Sequence, residues 1–202
     1  EIFMDKIFTI YPNLKVLDAS INIKNVIKED EVNPHVWTSI ENYINQVKEI
    51  SQVLIQQNSE NKQIYEENTE KYIKDLEKVE KQYEEISQKL NEQKAICLNE
   101  ALEYLAKDIK LEYISLHTDH DENSMSAESI KNIINKMNTE NIKIILIGKD
   151  DSIKNAEILA NETNAKIYKL DTVLTGATDK SAYIDAANRN LEVLKSVLGD
   201  EK

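Results

Sequence analysis

The chain has 202 residues, 41% of them hydrophobic, with three glycines and two prolines; that is enough to bury a core in one domain with an appendage, and too apolar for a disordered segment. Its 37 acidic residues against 25 basic ones give a formal charge of −12, which argues against nucleic acid or an anionic membrane as the main partner, because binding phosphate takes clustered Lys and Arg. A cationic ligand meets no such barrier, no run approaches the roughly 18 apolar residues of a membrane span, and the one cysteine, Cys97, lies in an apolar run with no partner for an internal disulfide.

The residues up to Tyr11-Pro12 read as a short helix, Leu14–Leu17 as a brief strand, and Lys28-Glu29-Asp30-Glu31 as a charged connection. This is too little to fold alone, and it reads as the end of a domain or as an appendage packed on the rest of the chain. The chain opens on Glu1 with no signal-peptide core ahead of it, so it is expected to be a processed or truncated product. Next comes Asn33-Pro34-His35-Val36-Trp37. Pro34 fixes its own φ and biases Asn33 away from the helical region, so His35 is carried on a stiff segment. A stiff imidazole suits a metal site; the plainer alternative is a histidine packed near a helix start with its hydrogen bond satisfied.

Ser39 is a natural N-cap, and Ile40, Tyr43, Ile44, Val47, Ile50 and Leu54 recur at helical spacing, which predicts a helix over Ser39–Gln57. A second helix is predicted from Asn61 to Leu90, its later apolar positions (Tyr72, Leu76, Val79, Tyr83, Ile86, Leu90) stepping by four and three. At ~1.5 Å per residue it would run about 45 Å, a spine rather than a coiled coil, for which no partner helix is offered. Apolar surface left bare on it would favour a homodimer, with Tyr65, Tyr72 and Tyr83 in the seam.

Beyond Leu90 short β-rich runs alternate with amphipathic helices: strand Lys94–Leu98, helix Glu100–Asp108, strand Leu111–Leu116, helix Ser126–Asn138, strand Ile142–Ile147, helix Ser152–Asn164, strand Lys166–Leu170 and helix Lys180–Leu198. Four successive β-α units predict an α/β fold with a parallel four-stranded sheet flanked by helices. Ligands of such sheets sit in the crevice outside the carboxyl ends of the strands. The residues there are Asn99 and Glu100, then His117, then Gly148, then Asp171. The loop His117-Thr118-Asp119-His120-Asp121-Glu122 brings two imidazoles and three carboxylates into six residues, a mixture suited to zinc, manganese or iron, although a solvated acidic loop has the same composition. Asp171 reads equally as a turn former or a helix cap. Enzymatic chemistry finds little support, since the chain has no Gly-x-Ser-x-Gly elbow, no phosphate-binding glycine loop and no His-Glu-x-x-His helix.

Taken in order, Asn33-Pro34-His35-Val36-Trp37, two helices, a strand, Asn99-Glu100-Ala101-Leu102-Glu103-Tyr104-Leu105-Ala106, Ser124-Met125-Ser126-Ala127 and Tyr168-Lys169-Leu170-Asp171 ahead of Tyr183 and Asn190-Leu191 resemble the zinc and manganese solute-binding lipoproteins of bacterial ABC importers. The resemblance implies residues 1–36 as a remnant of a first lobe, 37–92 as linking helices and 93–202 as a second α/β lobe. It implies a divalent transition metal, zinc ahead of manganese, as transported ligand rather than enzyme cofactor, an ABC permease as partner, and an extracytoplasmic place, anchored at the membrane in the full-length protein. By motif, His35 matches the histidine of the family's Asp-Pro-His-x-Trp segment and Asp171 the aspartate near the end of the second lobe. Asn99 stands where a histidine or glutamate is usual, which weakens the site or shifts its burden to His117 or His120. Gly148 stands where a glutamate is common, and the first-lobe histidine has no counterpart. These departures leave a second reading open, a degenerate or truncated relative that serves as a scaffold or partner-binding module.

Overall fold

The computed structural model describes residues 2–24, 26–27, 32–116 and 126–199. Its helices are α1 (Ile2–Ile10), α2 (Ile40–Gln57), α3 (Lys62–Leu90), α4 (Glu103–Asp108), α5 (Ala127–Thr139), α6 (Lys154–Thr163) and α7 (Ala182–Gly199). The strands β1 (Lys94–Cys97), β2 (Glu112–Ser115), β3 (Ile144–Gly148) and β4 (Lys166–Leu170) form one parallel sheet in the order β2-β1-β3-β4. Ile96 pairs with Ile114 on one side and Ile145 on the other, and Leu146 pairs with Tyr168. The strand order therefore reverses between β1 and β3, which places the ligand-binding crevice of such a sheet beyond the ends of those two strands.

Side chains alternate across the sheet as a two-residue period requires. Ala95, Cys97, Ile144 and Leu146 join a core with α3, α4 and α7, while Ile96, Ile145 and Ile147 join a second core with α5 and α6. β3 is buried along its whole length, the mark of a central parallel strand covered on both faces. Cys97 is fully buried, and burial pushes its thiol up to about 12; it behaves as a small core residue.

The helices begin and end where local chemistry dictates. Ser39 accepts the Asn42 N–H to open α2, Ser126 accepts the Ser129 N–H to open α5, and Asn164 closes α6 in the left-handed region at φ 53°. The spine α3 buries Leu76, Val79, Tyr83, Ile86 and Leu90 along one stripe. The Tyr83 hydroxyl donates to the Ala187 carbonyl of α7 at 2.9 Å. Tyr43 of α2 stacks on Tyr183 at 3.6 Å between ring centroids and meets Tyr72 edge-on. Tyr83, expected in a seam between copies, is instead packed against α7 within the chain and only 4% exposed.

Two expectations need correction. Leu14–Leu17 forms no strand: it finds no neighbouring strand to pair with, and Leu14, Val16 and Leu17 stay exposed. Polar contacts hold the segment along α2 instead, Lys15 Nζ donating to Gln57 and Asn22 donating to Glu49. The helix expected from Glu100 opens as a 3-10 turn over Glu100–Leu102, because the Asn99 side chain accepts the Ala101 N–H and closes a tight cap.

Candidate metal centre

His35 is held at both its backbone and its ring. Its backbone N–H and its ring Nδ1 both lie 3.0 Å from Asn33 Oδ1. The orientation of that amide is fixed on its far side, where Nδ2 donates to the Glu100 carbonyl at 2.8 Å and to Glu103 Oε2 at 3.0 Å. The oxygen must then face His35, so Nδ1 carries the proton and Nε2 presents its lone pair. Glu103, almost wholly buried, also accepts from the Ser115 hydroxyl, so the carboxylate that anchors Asn33 is itself tied to β2. Burial lowers the His35 pKa, with the Glu100 and Glu103 carboxylates pulling partly the other way. The result is a half-buried imidazole, neutral at pH 7, with a defined tautomer, which is what a metal ligand supported from behind looks like.

The same segment docks onto the end of β4. The His35 and Trp37 rings meet edge-on at 5.3 Å, the Trp37 indole N–H donates to the Thr172 carbonyl at 3.2 Å, and the Tyr183 hydroxyl donates to the Trp37 carbonyl at 2.8 Å. Next to Thr172 stands Asp171, 3% exposed. Its Oδ2 is held at 2.9 Å by Lys149 Nζ and at 2.9 Å by Arg189 Nη2, and its Oδ1 accepts the Val173 N–H at 2.9 Å. Burial pushes this carboxyl up, but the Lys149, Arg189 and Val173 hydrogen bonds outweigh it and hold the group below its usual value. Val173 stands at φ 56°, a left-handed conformation uncommon for a β-branched residue. The Asp171 backbone is clamped on both sides by Asn190, which accepts its N–H at 2.6 Å and donates to its carbonyl at 2.9 Å.

Asn99 stands just past the end of β1, as expected, where the sheet order opens the crevice between β1 and β3, but its amide is already engaged. Oδ1 accepts the Ala101 N–H at 2.8 Å and Nδ2 donates to Asp151 Oδ2 at 2.8 Å; the same Asp151 oxygen accepts the Gly148 N–H at 2.7 Å. A Cβ on Gly148 would lie 2.7 Å from that oxygen, so glycine at the end of β3 makes room for Asp151. Asp151 is the partner of Asn99 that inspection of the position immediately after each strand passes over; the run Gly148-Lys149-Asp150-Asp151 was the available signal. Lys149, Arg189 and Asn33 were missed as well, because their partners lie 22, 18 and 70 residues away in the chain.

The structure thus links His35 to the Asp171 end of β4 through Trp37 and Thr172, and sets Asn99 with Asp151 between β1 and β3. Among the described residues, no three His, Cys, Asp or Glu side chains converge closely enough to hold a metal. His117 and His120 lie outside the described residues.

The sheet order, flanking helices and half-buried imidazole define one fold with known relatives. The crystal structure of ZnuA superposes with a TM-score of 0.81 at 22% identity, covering 98% of this chain and 73% of that one. The solute-binding protein FpvC from Pseudomonas aeruginosa in complex with Mn2+ also gives 0.81, at 23% identity over 95% of this chain and 72% of that one. The family model described as ZnuA, zinc-uptake complex component A, periplasmic, matches residues 1–197, and the chain belongs to that family. The high-affinity zinc uptake system protein ZnuA of Bacillus subtilis (strain 168) is 32% identical over 172 residues, 83% of this chain and 54% of the relative, so the chain spans about half the length of that relative. The family is a component of metal transport, not of enzymatic turnover. Among the described residues no helix is long and apolar enough to cross a membrane.

Proposed function

We propose that the chain captures a divalent transition metal outside the cytoplasm and passes it to the permease of an ABC importer. The observation that carries this reading is the His35 environment: Asn33 Oδ1 meets Nδ1 at 3.0 Å, which selects the Nδ1–H tautomer and, among the described residues, leaves the Nε2 lone pair for a cation. Zinc is the first candidate, supported by the zinc-uptake role named for the family and for the Bacillus subtilis relative; manganese is the second, supported by the Mn2+ complex of FpvC. In this reading His35 is the anchoring ligand, Asp171 joins it from the end of β4, and His117 or His120 supplies what Asn99 does not, since the Asn99 amide is spent on Ala101 and Asp151. Residues 1–36 then stand for the end of a first lobe, 37–92 for the linking helices and 93–202 for the second lobe, with the protein held at the membrane surface in its full-length form.

The test is calorimetric titration of metal-stripped protein with zinc and then manganese, for the wild type and His35→Ala. Saturable one-to-one binding that the substitution abolishes is the expected result. Binding that ignores His35, or no binding at all, would overturn metal capture and leave a scaffold or partner-binding module, the reading favoured by the spent Asn99 amide.

A further inference from the structure

The two cations on Asp171 are more than the carboxylate needs. One would balance its charge; both Lys149 Nζ and Arg189 Nη2 contact the same oxygen, Oδ2, at 2.9 Å. The carboxylate itself is immobile, because its side chain is 3% exposed, its backbone is clamped by Asn190 on both sides, and its Oδ1 is pinned by the Val173 N–H. The cations are not: the Lys149 side chain is 35% exposed and that of Arg189 59% exposed, so either can swing into water on a long flexible stem.

We propose that Lys149 and Arg189 are placeholders for the transported metal, occupying Asp171 in the empty protein and yielding Oδ2 when a divalent cation arrives. The inference deepens the metal-capture reading and rests on it. Charge balance favours such an exchange. A carboxylate with two monovalent cations carries a net single positive charge, and the same carboxylate with one divalent cation carries the same charge, so the buried site keeps its electrostatic balance in both states. An empty site lacking these cations would leave a desolvated carboxylate unpaired, which is costly. The two side chains would also set a threshold, because a weakly bound cation could not displace them, whereas a transition metal held at the same time by His35 could.

The consequence is counter-intuitive for a basic residue close to a metal site: removing it should tighten metal binding by lifting the competition, whereas a residue that only supports the fold would leave affinity unchanged or lower it. Single substitutions are the right probe, since each leaves one cation to keep Asp171 ionised. Metal-stripped wild type, Lys149→Met, Arg189→Gln, Asp171→Asn and Lys149→Met combined with Asp171→Asn are titrated with zinc chloride by calorimetry, with circular dichroism confirming the fold of each. A charge-assisted contact of this kind corresponds to roughly a tenfold change, so Lys149→Met and Arg189→Gln are each expected to bind zinc about tenfold more tightly. The gain should vanish when Asp171 is asparagine. Affinity that is unchanged or weaker in both single variants, or a gain that survives loss of Asp171, overturns the inference while leaving metal capture standing. Absence of saturable zinc binding in every protein, wild type included, removes the capture reading itself and this inference with it. If Lys149→Met fails to fold, Arg189→Gln, altered at the more exposed of the two side chains, decides the matter alone.

Discussion

Asp108 offers a sharp test of the packing between α2 and α4. Its carboxylate accepts the Ile40 N–H at 3.1 Å and a hydrogen bond from the Ser39 side chain, closing the start of α2 from a different helix. Burial raises its pKa from 3.8 to about 6, against the pull of the Ser39 and Ile40 hydrogen bonds and with help from the Glu41 and Glu80 charges. An acid whose pKa is raised by folding adds stability that is fully present below its unfolded value and is lost as pH climbs through its folded value. At 1.36 kcal/mol per pH unit the whole effect amounts to about 3 kcal/mol, and linkage returns about 1.4 kcal/mol of it on going from pH 7.5 to pH 5. Asp108→Asn keeps an oxygen to accept the Ile40 N–H and removes the charge. Urea unfolding followed by circular dichroism at both pH values should then show the wild type gaining about 1.4 kcal/mol more than the variant at the lower pH. Equal gains, within about 0.3 kcal/mol, would mean that Asp108 is hydrated in solution and that the α2–α4 junction is looser than its buried contacts imply.

Asn33→Ala should release the His35 ring and weaken zinc binding about 10- to 100-fold in calorimetric titration, since support behind a metal ligand is worth that much; unchanged affinity would show that the tautomer is not set by Asn33. Gly148→Ala places a methyl group where the Asp151 carboxylate now lies 2.7 Å away and should cost about 1–3 kcal/mol in chemical denaturation. Tyr83→Phe deletes the hydroxyl that donates to Ala187 and should cost about 1 kcal/mol, read as a Tm lower by ~2–4 °C.

Much of the architecture was readable from periodicity alone. The four strands and the helices after Leu90 fall within a few residues of their predicted bounds, because Ala95–Cys97 and Ile144–Gly148 alternate between two cores and α5 and α6 each show one apolar stripe. The exception, Leu14–Leu17, has the composition of a strand without a partner to pair with, and pairing is a tertiary property that composition does not encode. The site divides in the same way. The rigidity around His35 is local, set by Pro34, and was visible in five residues. Its chemistry is not local: Glu103 orients Asn33 from the start of α4, and Lys149 and Arg189 reach Asp171 from the end of β3 and from α7. Asn99 illustrates the difference, for its position at the end of β1 was predicted, while its engagement by Asp151 depends on a glycine 49 residues further on, at the end of β3.

The most direct test of metal capture at His35 is a crystal structure grown with zinc and measured at the zinc absorption edge. The expected result is an anomalous peak at roughly 2.0–2.1 Å from His35 Nε2, with His35 Nδ1 still donating to Asn33 and Lys149 or Arg189 withdrawn from Asp171. A peak away from His35, or bonded to Nδ1 with the Asn33 contact broken, would contradict it.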